Sequence, residues 1–182
     1  MNYYEGQIKN GERLIIRIPK EADAADMIDY LNTVGGESDN LLFGSNDFHL
    51  TVDQEKEMIR SLNNDPNRLM LVGEVNNKIV SIAQISAATR TRIAHNSEIA
   101  ISVKKDYWRM GIAGLMIEEL LRFASQHATI RNVSLGVRAD NYGAIKLYEK
   151  LGFEPIVRHK DYFNIDGAYY DLILMDRSIE IV

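Results

Sequence analysis

Three features of the sequence combine residue types and spacings that could do chemistry: a tyrosine, a glutamate and a glycine-containing turn. Tyr148 follows Asn141 by seven positions on a predicted helix, so the two side chains share a face. Glu98 lies on a predicted strand face that otherwise carries small residues. A tyrosine hydroxyl can act as a general acid, and a partly buried carboxylate can act as a general base. The alternatives are a core aromatic side chain and, for the glutamate, a structural hydrogen bond or an exposed place at the strand edge.

The turn after the predicted strand 96–103 is suited to bind a phosphate. Gly111, Ala113 and Gly114 lack bulk at the predicted start of a helix, where backbone N–H groups point outward and the helix dipole favours an anion. Three basic residues are close by: Lys104, Lys105 and Arg109. The alternative is a tight turn that lets the helix pack closely on the strand. A P-loop is excluded because Gly-Lys-Ser/Thr is missing, and a Rossmann fingerprint fits poorly because no acidic residue follows the glycines by about 20 positions.

Two strands and two amphipathic helices must position these groups. Alternating apolar and polar residues predict strands over 96–103 and 132–138. A helix follows each strand, and either Asp140 or Asn141 is suited to cap the second one. Gly152 is the expected left-handed residue at its end.

The remaining elements complete an α/β pattern with helices on both faces of a mixed sheet of about seven strands. Further strands are predicted over 13–18, 69–75 and 78–86 and on both sides of the turn 164–167, with helices over 20–34 and 51–62. Asn76-Asn77 and Asp166-Gly167 are typical of hairpin turns. The segment 34–50 is expected to be a loop partly anchored by apolar side chains.

Two short motifs occur in order along this central region. The first is Trp108-Arg109-Met110-Gly111-Ile112-Ala113, and the second consists of Asn141, Ala144, Leu147, Tyr148, Gly152 and Phe153. They resemble motifs of the GNAT superfamily of acyl-CoA-dependent N-acetyltransferases. The first family motif is Gln/Arg-x-x-Gly-x-Gly/Ala, and the second approximates Asn-x-x-Ala-x-x-Leu-Tyr-x-x-x-Gly-Phe. Trp108 departs from the family pattern, which usually has Gln or Arg there.

The resemblance implies a single N-acetyltransferase domain over residues 1–182, with acetyl-CoA as co-substrate. The pyrophosphate would lie on the amides of Arg109, Met110, Gly111, Ile112, Ala113 and Gly114. A free amide of the first strand would stabilise the oxyanion, at Ile101, Ser102 or Val103. Asn141 and Ala144 would contact the pantetheine arm, and the two predicted strands would diverge to admit it. Tyr148 would be the general acid toward the CoA thiolate, and Glu98 the general base through water.

Composition limits the other possibilities. A chain of 182 residues, 46% of them hydrophobic, suits one globular domain, and a net charge of −5 argues against a nucleic-acid partner. The absence of cysteine excludes a disulfide framework, a thiolate zinc site and a cysteinyl acyl-enzyme. The four histidines lack ligand spacing, so we expect no metal. The first residues do not form a signal peptide and no long apolar run occurs, so we expect a cytoplasmic protein without a membrane partner.

The sequence therefore predicts an enzyme that transfers an acetyl group to a primary amine by direct attack in a ternary complex. The acceptor is either a protein N-terminus or a small amine, selected by residues in 34–50, 87–95 and 161–170. The alternative is a non-catalytic module that binds acyl-CoA or a partner protein. The aromatic C-terminal strands could also pair across a homodimer.

Overall fold

The computed structural model describes residues 2–180, which form eight strands and four α-helices. The strands are β1 (Asn2–Gln7), β2 (Arg13–Arg17), β3 (Arg68–Val75), β4 (Lys78–Ala87), β5 (Asn96–Val103), β6 (Asn132–Arg138), β7 (Glu154–Ile165) and β8 (Ala168–Ser178). The helices are α1 (Ala24–Val34), α2 (Val52–Asn63), α3 (Ile112–Gln126) and α4 (Tyr142–Lys150). Short 3₁₀ turns occupy Glu21–Asp23, Thr91–Ile93 and Lys105–Tyr107.

The strands form one mixed sheet in the order β1-β2-β3-β4-β5-β6-β8-β7. β5 runs parallel to β6, with Asn96–Glu98 opposite Asn132–Ser134, whereas β6, β8 and β7 pair antiparallel. The predicted α/β class is confirmed, with eight strands in place of about seven. β1 was missed because none of its residues is buried, so no apolar alternation marks it.

The chain divides into two compact units, of which the first contains the residues up to Ser86 together with Ala100–Leu120. On one face of its strands, α1 and α2 bury a cluster of apolar side chains: Ala24, Met27, Tyr30, Val34, Ile59, Leu62, Met70, Val72, Ile79 and Ile82. On the other face, a Cβ added at Gly73 of β3 would lie 3.4 Å from the sulfur of Met116 on α3. Helices therefore cover both faces of this part of the sheet, as predicted.

The second unit contains Ala87–Ile99 and the residues from Leu121 onward. β6 pairs with β8 over its whole length, and β8 continues into a long hairpin with β7. The prediction of one domain over 1–182 stays a prediction, and its ends at Met1, Ile181 and Val182 lie outside the described residues.

Both predicted hairpin turns are confirmed by backbone angles that favour their residue types. Asn76 and Asn77 have φ of 51° and 60°, and Asp166 and Gly167 have φ of 50° and 84°. Asparagine, aspartate and glycine adopt this left-handed region more readily than other residues. The two turns therefore join β3 to β4 and β7 to β8 without a longer loop.

The loop that follows α1 is anchored by apolar side chains, as its sequence predicts. Leu41 and Phe43 pack against the cluster of α1 and α2, and Phe43 meets the ring of Phe48 edge-on with centroids 4.7 Å apart. Leu42 is 78% exposed, so the loop also presents an apolar side chain to solvent. Its part in acceptor binding stays a prediction.

Glu55 is a carboxyl buried on the face of α2 that also carries Ile59 and Leu62. Within residues 2–180, neither of its carboxyl oxygens has a hydrogen-bond partner, and burial raises the pKa of this group. A raised pKa in the folded state means that this carboxyl favours folding most at low pH, and that its contribution falls as the pH rises above its ordinary pKa.

Candidate active site

The connection between β5 and α3 has an unusual backbone at the predicted phosphate site. Arg109 and Gly111 have φ of 63° and 93°, both in the left-handed region. A Cβ added at Gly111 would meet no heavy atom within 4 Å, so open space lies in front of this residue. Glycine is the residue that adopts this backbone without strain, and it leaves the space free for a ligand.

The start of α3 has unsatisfied backbone donors. In the described part of the chain, the N–H groups of residues 109–114 donate to no protein acceptor, and the first bond of the helix runs from Leu115 N to Gly111 O at 3.3 Å. The first N–H groups of any helix lack partners within the helix and need a cap, water or a ligand. Together with the helix dipole, such donors favour an anion, so the prediction of a phosphate site here stays a prediction.

Trp108 takes the place where the family usually has Gln or Arg, and its side chain contacts the end of β5. The indole Nε1–H donates to the carbonyl oxygen of Val103 at 2.8 Å, while 41% of the residue remains exposed. The indole N–H thus holds the connection between β5 and α3 against the end of β5. A second hydrogen bond holds the same connection, because Glu37 Oε2 accepts from the backbone N–H of Lys105 at 2.7 Å.

The end of β5 is held by side-chain hydroxyls that sequence reasoning did not find. Ser81 Oγ donates to the carbonyl oxygen of Ser102 at 2.8 Å, and the Tyr30 hydroxyl lies 2.9 Å from Ser102 Oγ. Ile101 and Val103 are half-buried here, as is Ser102. The sequence contains one signal for this contact, which is Tyr30 on the apolar face of α1. A buried tyrosine hydroxyl usually has a hydrogen-bond partner, so this position indicates a polar group nearby.

The expectation of a partly buried Glu98 was wrong. Ser97 and Ile99 are buried on one face of β5, whereas Glu98 and Ala100 are exposed on the other. Alternation along a strand predicts which residues share a face, but it does not tell whether another element covers that face. Glu98 is therefore open to solvent, opposite Ser134 of β6.

α4 is capped as its sequence predicts, with Asn141 rather than Asp140 as the N-cap. Asn141 Oδ1 accepts from Ala144 N at 3.3 Å, whereas Asp140 pairs with Arg138 at 2.6 Å. At the other end, Gly152 has a φ of 82°, which confirms the predicted left-handed residue. The first turn of the helix thus has a side-chain cap, and its last turn ends in the expected left-handed glycine.

Tyr148 lies on the half-buried face of α4 together with Asn141, Ala144 and Ile145, as the spacing predicts. Its ring meets Phe153 nearly edge-on, with centroids 6.1 Å apart. Burial raises the pKa of the Tyr148 hydroxyl to about 12. The hydroxyl is therefore protonated near neutral pH and can donate a hydrogen bond.

A comparison of the sequence with protein-family models identifies the family that carries these two motifs. The model of the acetyltransferase (GNAT) family matches residues 40–153, which is more than half of the chain. The chain belongs to the GNAT family. The matched range contains both motifs and all of the predicted site residues.

Individual relatives of this GNAT protein carry acetyltransferase names. The L-amino acid N-acetyltransferase AaaT of Escherichia coli K12 is 29% identical over 112 residues, which cover 62% of this chain and 69% of that protein. The ribosomal protein bS18 alanine N-acetyltransferase of the same organism is 33% identical over 81 residues, 44% of this chain and about half of its own length (54%). A GNAT acetyltransferase from Streptococcus pneumoniae superposes with a TM-score of 0.88 at 29% identity, covering 92% of this chain and 99% of that one.

The protein is thus an acetyl-CoA-dependent N-acetyltransferase. Its predicted site residues lie in both compact units: 101–103 and 109–114 in the first, and Glu98, Asn141, Ala144 and Tyr148 in the second. Among residues 2–180, no three His, Asp or Glu side chains come together as metal ligands. In the same range, no helix has both the length and the apolar character to cross a membrane.

Proposed function

We propose that this enzyme moves the acetyl group from acetyl-CoA to a primary amine by direct attack in a ternary complex. The observation that carries the proposal is the start of α3, whose unsatisfied N–H groups at 109–114 face open space at Gly111. The chain has no cysteine, so a cysteinyl acyl-enzyme is not an option. Direct transfer needs no covalent intermediate, and correct positioning alone can recover roughly 7–11 kcal/mol of the barrier.

In this proposal, the pyrophosphate of acetyl-CoA accepts hydrogen bonds from the amides of 109–114. The thioester carbonyl accepts from a backbone amide among Ile101, Ser102 and Val103, where negative charge develops as the amine attacks. Removing one such donor typically lowers kcat by about 10²–10³-fold in enzymes of this kind of chemistry. The carbonyl oxygens of Ser102 and Val103 are already engaged by side chains, which leaves the orientation of this stretch well defined.

Tyr148 then donates to the sulfur of the departing CoA. Its pKa of about 12 keeps the proton on the hydroxyl at working pH. An ordinary thiol titrates roughly three pH units lower, so full proton transfer to a thiolate is uphill. We therefore propose that Tyr148 acts mainly as a hydrogen-bond donor that stabilises the developing thiolate.

Asn141 can serve both the helix and the cofactor. Its Oδ1 accepts from Ala144 N at 3.3 Å, which leaves the two N–H donors of its amide group for the pantetheine arm. Ala144 has no bulk to obstruct the same arm. Glu98 is proposed as the base that removes the amine proton through water, an arrangement that its exposed position allows.

The acceptor we propose is an α-amino group, on a free amino acid or at a protein N-terminus. The names of the two relatives refer to L-amino acids and to the alanine of a ribosomal protein, and both of these acceptors carry an α-amine. The residues that distinguish them would lie in 34–50, 87–95 and 161–170. Trp108, which departs from the family pattern, keeps a defined contact at Val103, so the connection to α3 remains fixed at this position.

A homodimer, if it forms, should not use the outer edge of β7. This strand carries Pro155, Lys160 and two shifts of register against β8, all of which oppose the addition of another strand. Ile156 and Val157 are 53% and 50% exposed, so a second copy would contact the faces of the hairpin. The cytoplasmic location and the lack of nucleic-acid and membrane partners stay predictions.

Calorimetry with acetyl-CoA, followed by thiol release with a panel of acceptors, tests this function. The panel should contain free L-amino acids, short peptides with a free N-terminus, the same peptides acetylated, and polyamines. We expect thiol release with free α-amines and none with the acetylated peptides. Release with polyamines alone would contradict the proposed acceptor, and absence of acetyl-CoA binding would contradict the proposed cofactor site.

A further inference from the structure

Three hydroxyl groups meet at the end of β5 within the first unit. Tyr30 is 1% exposed and Ser81 is fully buried, so both hydroxyls are shielded from bulk solvent. Ser81 Oγ donates to Ser102 O at 2.8 Å, and the Tyr30 hydroxyl lies 2.9 Å from Ser102 Oγ. Ser102 is thus held through both its carbonyl oxygen and its side chain.

Side chains add hydrogen bonds to the backbone pairing that joins β4 to β5. In a ladder, strand carbonyls accept from the backbone N–H groups of the adjacent strand. Here a side chain of β4 also donates to the Ser102 carbonyl, and the hydroxyl of Tyr30 on α1 contacts Ser102 Oγ. Just beyond the strand, Lys104 N donates to Val80 O at 2.9 Å. Side chains of two other elements therefore help to orient the peptide groups around Ser102.

We infer that Tyr30 and Ser81 are positioning residues, which hold the backbone of 101–103 so that one of its amides meets the thioester carbonyl of acetyl-CoA. The inference rests on the proposed function, in which this stretch supplies the oxyanion donor. Neither residue touches the substrate in this account. Both act through Ser102, whose carbonyl and side chain they bind.

Packing alone does not explain the hydroxyl of Tyr30. The ring of Tyr30 belongs to the apolar cluster of α1 and α2, where the ring of a phenylalanine would fill the same volume. A buried hydroxyl is costly to leave without a partner, and this one has Ser102 Oγ as its partner. Burial also raises its pKa above the ordinary range, which excludes a role as a base near neutral pH.

The first test is a comparison of kcat with acetyl-CoA affinity in Tyr30→Phe and Ser81→Ala. Misplacement of a reacting group by about 1 Å can cost on the order of 100-fold, so we expect kcat to fall by roughly 5- to 50-fold. The dissociation constant for acetyl-CoA should stay within about twofold, because the amides of 109–114 are untouched. The fluorescence of Trp108, the single tryptophan of the chain, provides the binding signal.

Two variants serve as matched controls for lost hydroxyls. Tyr4→Phe removes a tyrosine hydroxyl from β1. Ser97→Ala removes a buried serine whose Oγ donates to Asn132 O at 3.0 Å, a bond of the same kind at the other end of β5. Both should retain kcat. Equal losses of kcat in the controls and in the test variants would show a general structural effect and overturn the inference.

The second test requires no acceptor. Infrared difference spectroscopy with acetyl-CoA labelled with ¹³C at the thioester carbonyl measures the hydrogen bond to that oxygen. We expect the carbonyl band of the bound cofactor to lie at lower frequency than that of free acetyl-CoA, with a smaller shift in Tyr30→Phe and Ser81→Ala than in the two controls. Tyr30→Phe and Ser102→Ala remove the same hydrogen bond, the one between the Tyr30 hydroxyl and Ser102 Oγ. The double variant should therefore change the carbonyl frequency no more than the more severe single variant does.

The two tests distinguish a failure of this inference from a failure of the proposed function. A wild-type enzyme that binds acetyl-CoA without any carbonyl shift would contradict the proposed oxyanion donor, and the inference would fail with it. A wild-type enzyme that shows the shift and releases thiol, with both test variants indistinguishable from it, would overturn the inference and leave the proposed function intact.

Discussion

The two strand-to-helix connections of the candidate site differ in how they treat the first N–H groups of the helix. Between β6 and α4, the connection is three residues long, and Asn141 caps the helix by accepting from Ala144 N. Between β5 and α3, the connection runs through 104–111 with left-handed residues at Arg109 and Gly111, and no side chain among the described residues accepts from 109–114. A side chain therefore caps the start of α4, whereas no side chain caps the start of α3, where we propose that the pyrophosphate binds.

α2 has a reciprocal capping box at its start, away from the predicted cofactor site. Thr51 Oγ1 accepts from Gln54 N at 3.2 Å, and Gln54 Oε1 accepts from Thr51 N at 2.9 Å. This reciprocal pair satisfies donors that would otherwise need water. α1 also begins without a side-chain cap, so the start of α3 is distinguished by the open space in front of Gly111. A capped start, as in α4, fixes the direction of its side chains, Tyr148 among them.

The largest effect is expected from Gly111→Val, which obstructs the uncapped start. The valine side chain would occupy the open space in front of the amides, so acetyl-CoA affinity should fall by at least about 100-fold, as measured by calorimetry. Gly11→Val is a matched control, because Gly11 also has a left-handed φ, of 86°, and open space around it. Both variants should lose a similar 1–2 kcal/mol, roughly, of folding free energy from backbone strain. Equal affinity in the two variants would contradict the placement of the pyrophosphate.

A smaller effect is expected from Tyr148→Phe on the capped helix. Loss of the donor to the departing thiolate should lower kcat by about 10- to 100-fold with acetyl-CoA affinity unchanged. Because the Tyr148 pKa is about 12, kcat should show no alkaline loss from this group until the pH approaches that value. Tyr142→Phe, on the exposed side of the same helix, should behave as wild type. A wild-type alkaline limb near pH 8 to 9 that disappears in Tyr148→Phe would mean a lower pKa and a different proton path.

Two substitutions separate the two proposed roles of Asn141, which are to cap α4 and to contact the pantetheine arm. Asn141→Ala removes the cap of α4 and should cost about 1 kcal/mol of unfolding free energy, measured by denaturant titration. Asn141→Ser keeps an oxygen that can accept from Ala144 N, so it should restore most of that stability. It lacks the amide donors, so the KM for acetyl-CoA should stay raised by a few-fold in both variants. A serine variant with normal KM would show that capping is the whole role of this residue.

Local sequence patterns predicted the elements of this protein well because the physical causes are local. The apolar alternation of β5 and β6, the cap at Asn141 and the left-handed Gly152 each depend on a few neighbouring residues. Contacts between distant positions were not accessible in this way. Tyr30 and Ser102 are 72 positions apart, and no pattern in either stretch connects them. The prediction that Glu98 is partly buried failed for a related reason, because the exposure of a strand face depends on which elements cover it.

The smallest effect is expected from Glu98→Gln. This variant tests whether β5 contributes a side chain to the reaction in addition to its backbone amides. An exposed carboxylate that acts only through water contributes little beyond what solvent supplies, so kcat/KM should fall by less than about threefold near neutral pH. Ser134→Ala, opposite Glu98 on β6, controls for disturbance of the strand pair and should keep the kcat/KM of the wild type. Equal kcat/KM in the wild type and in Glu98→Gln would assign proton removal to water or another group, and the chemistry would then depend on the β5–α3 connection and on α4 alone.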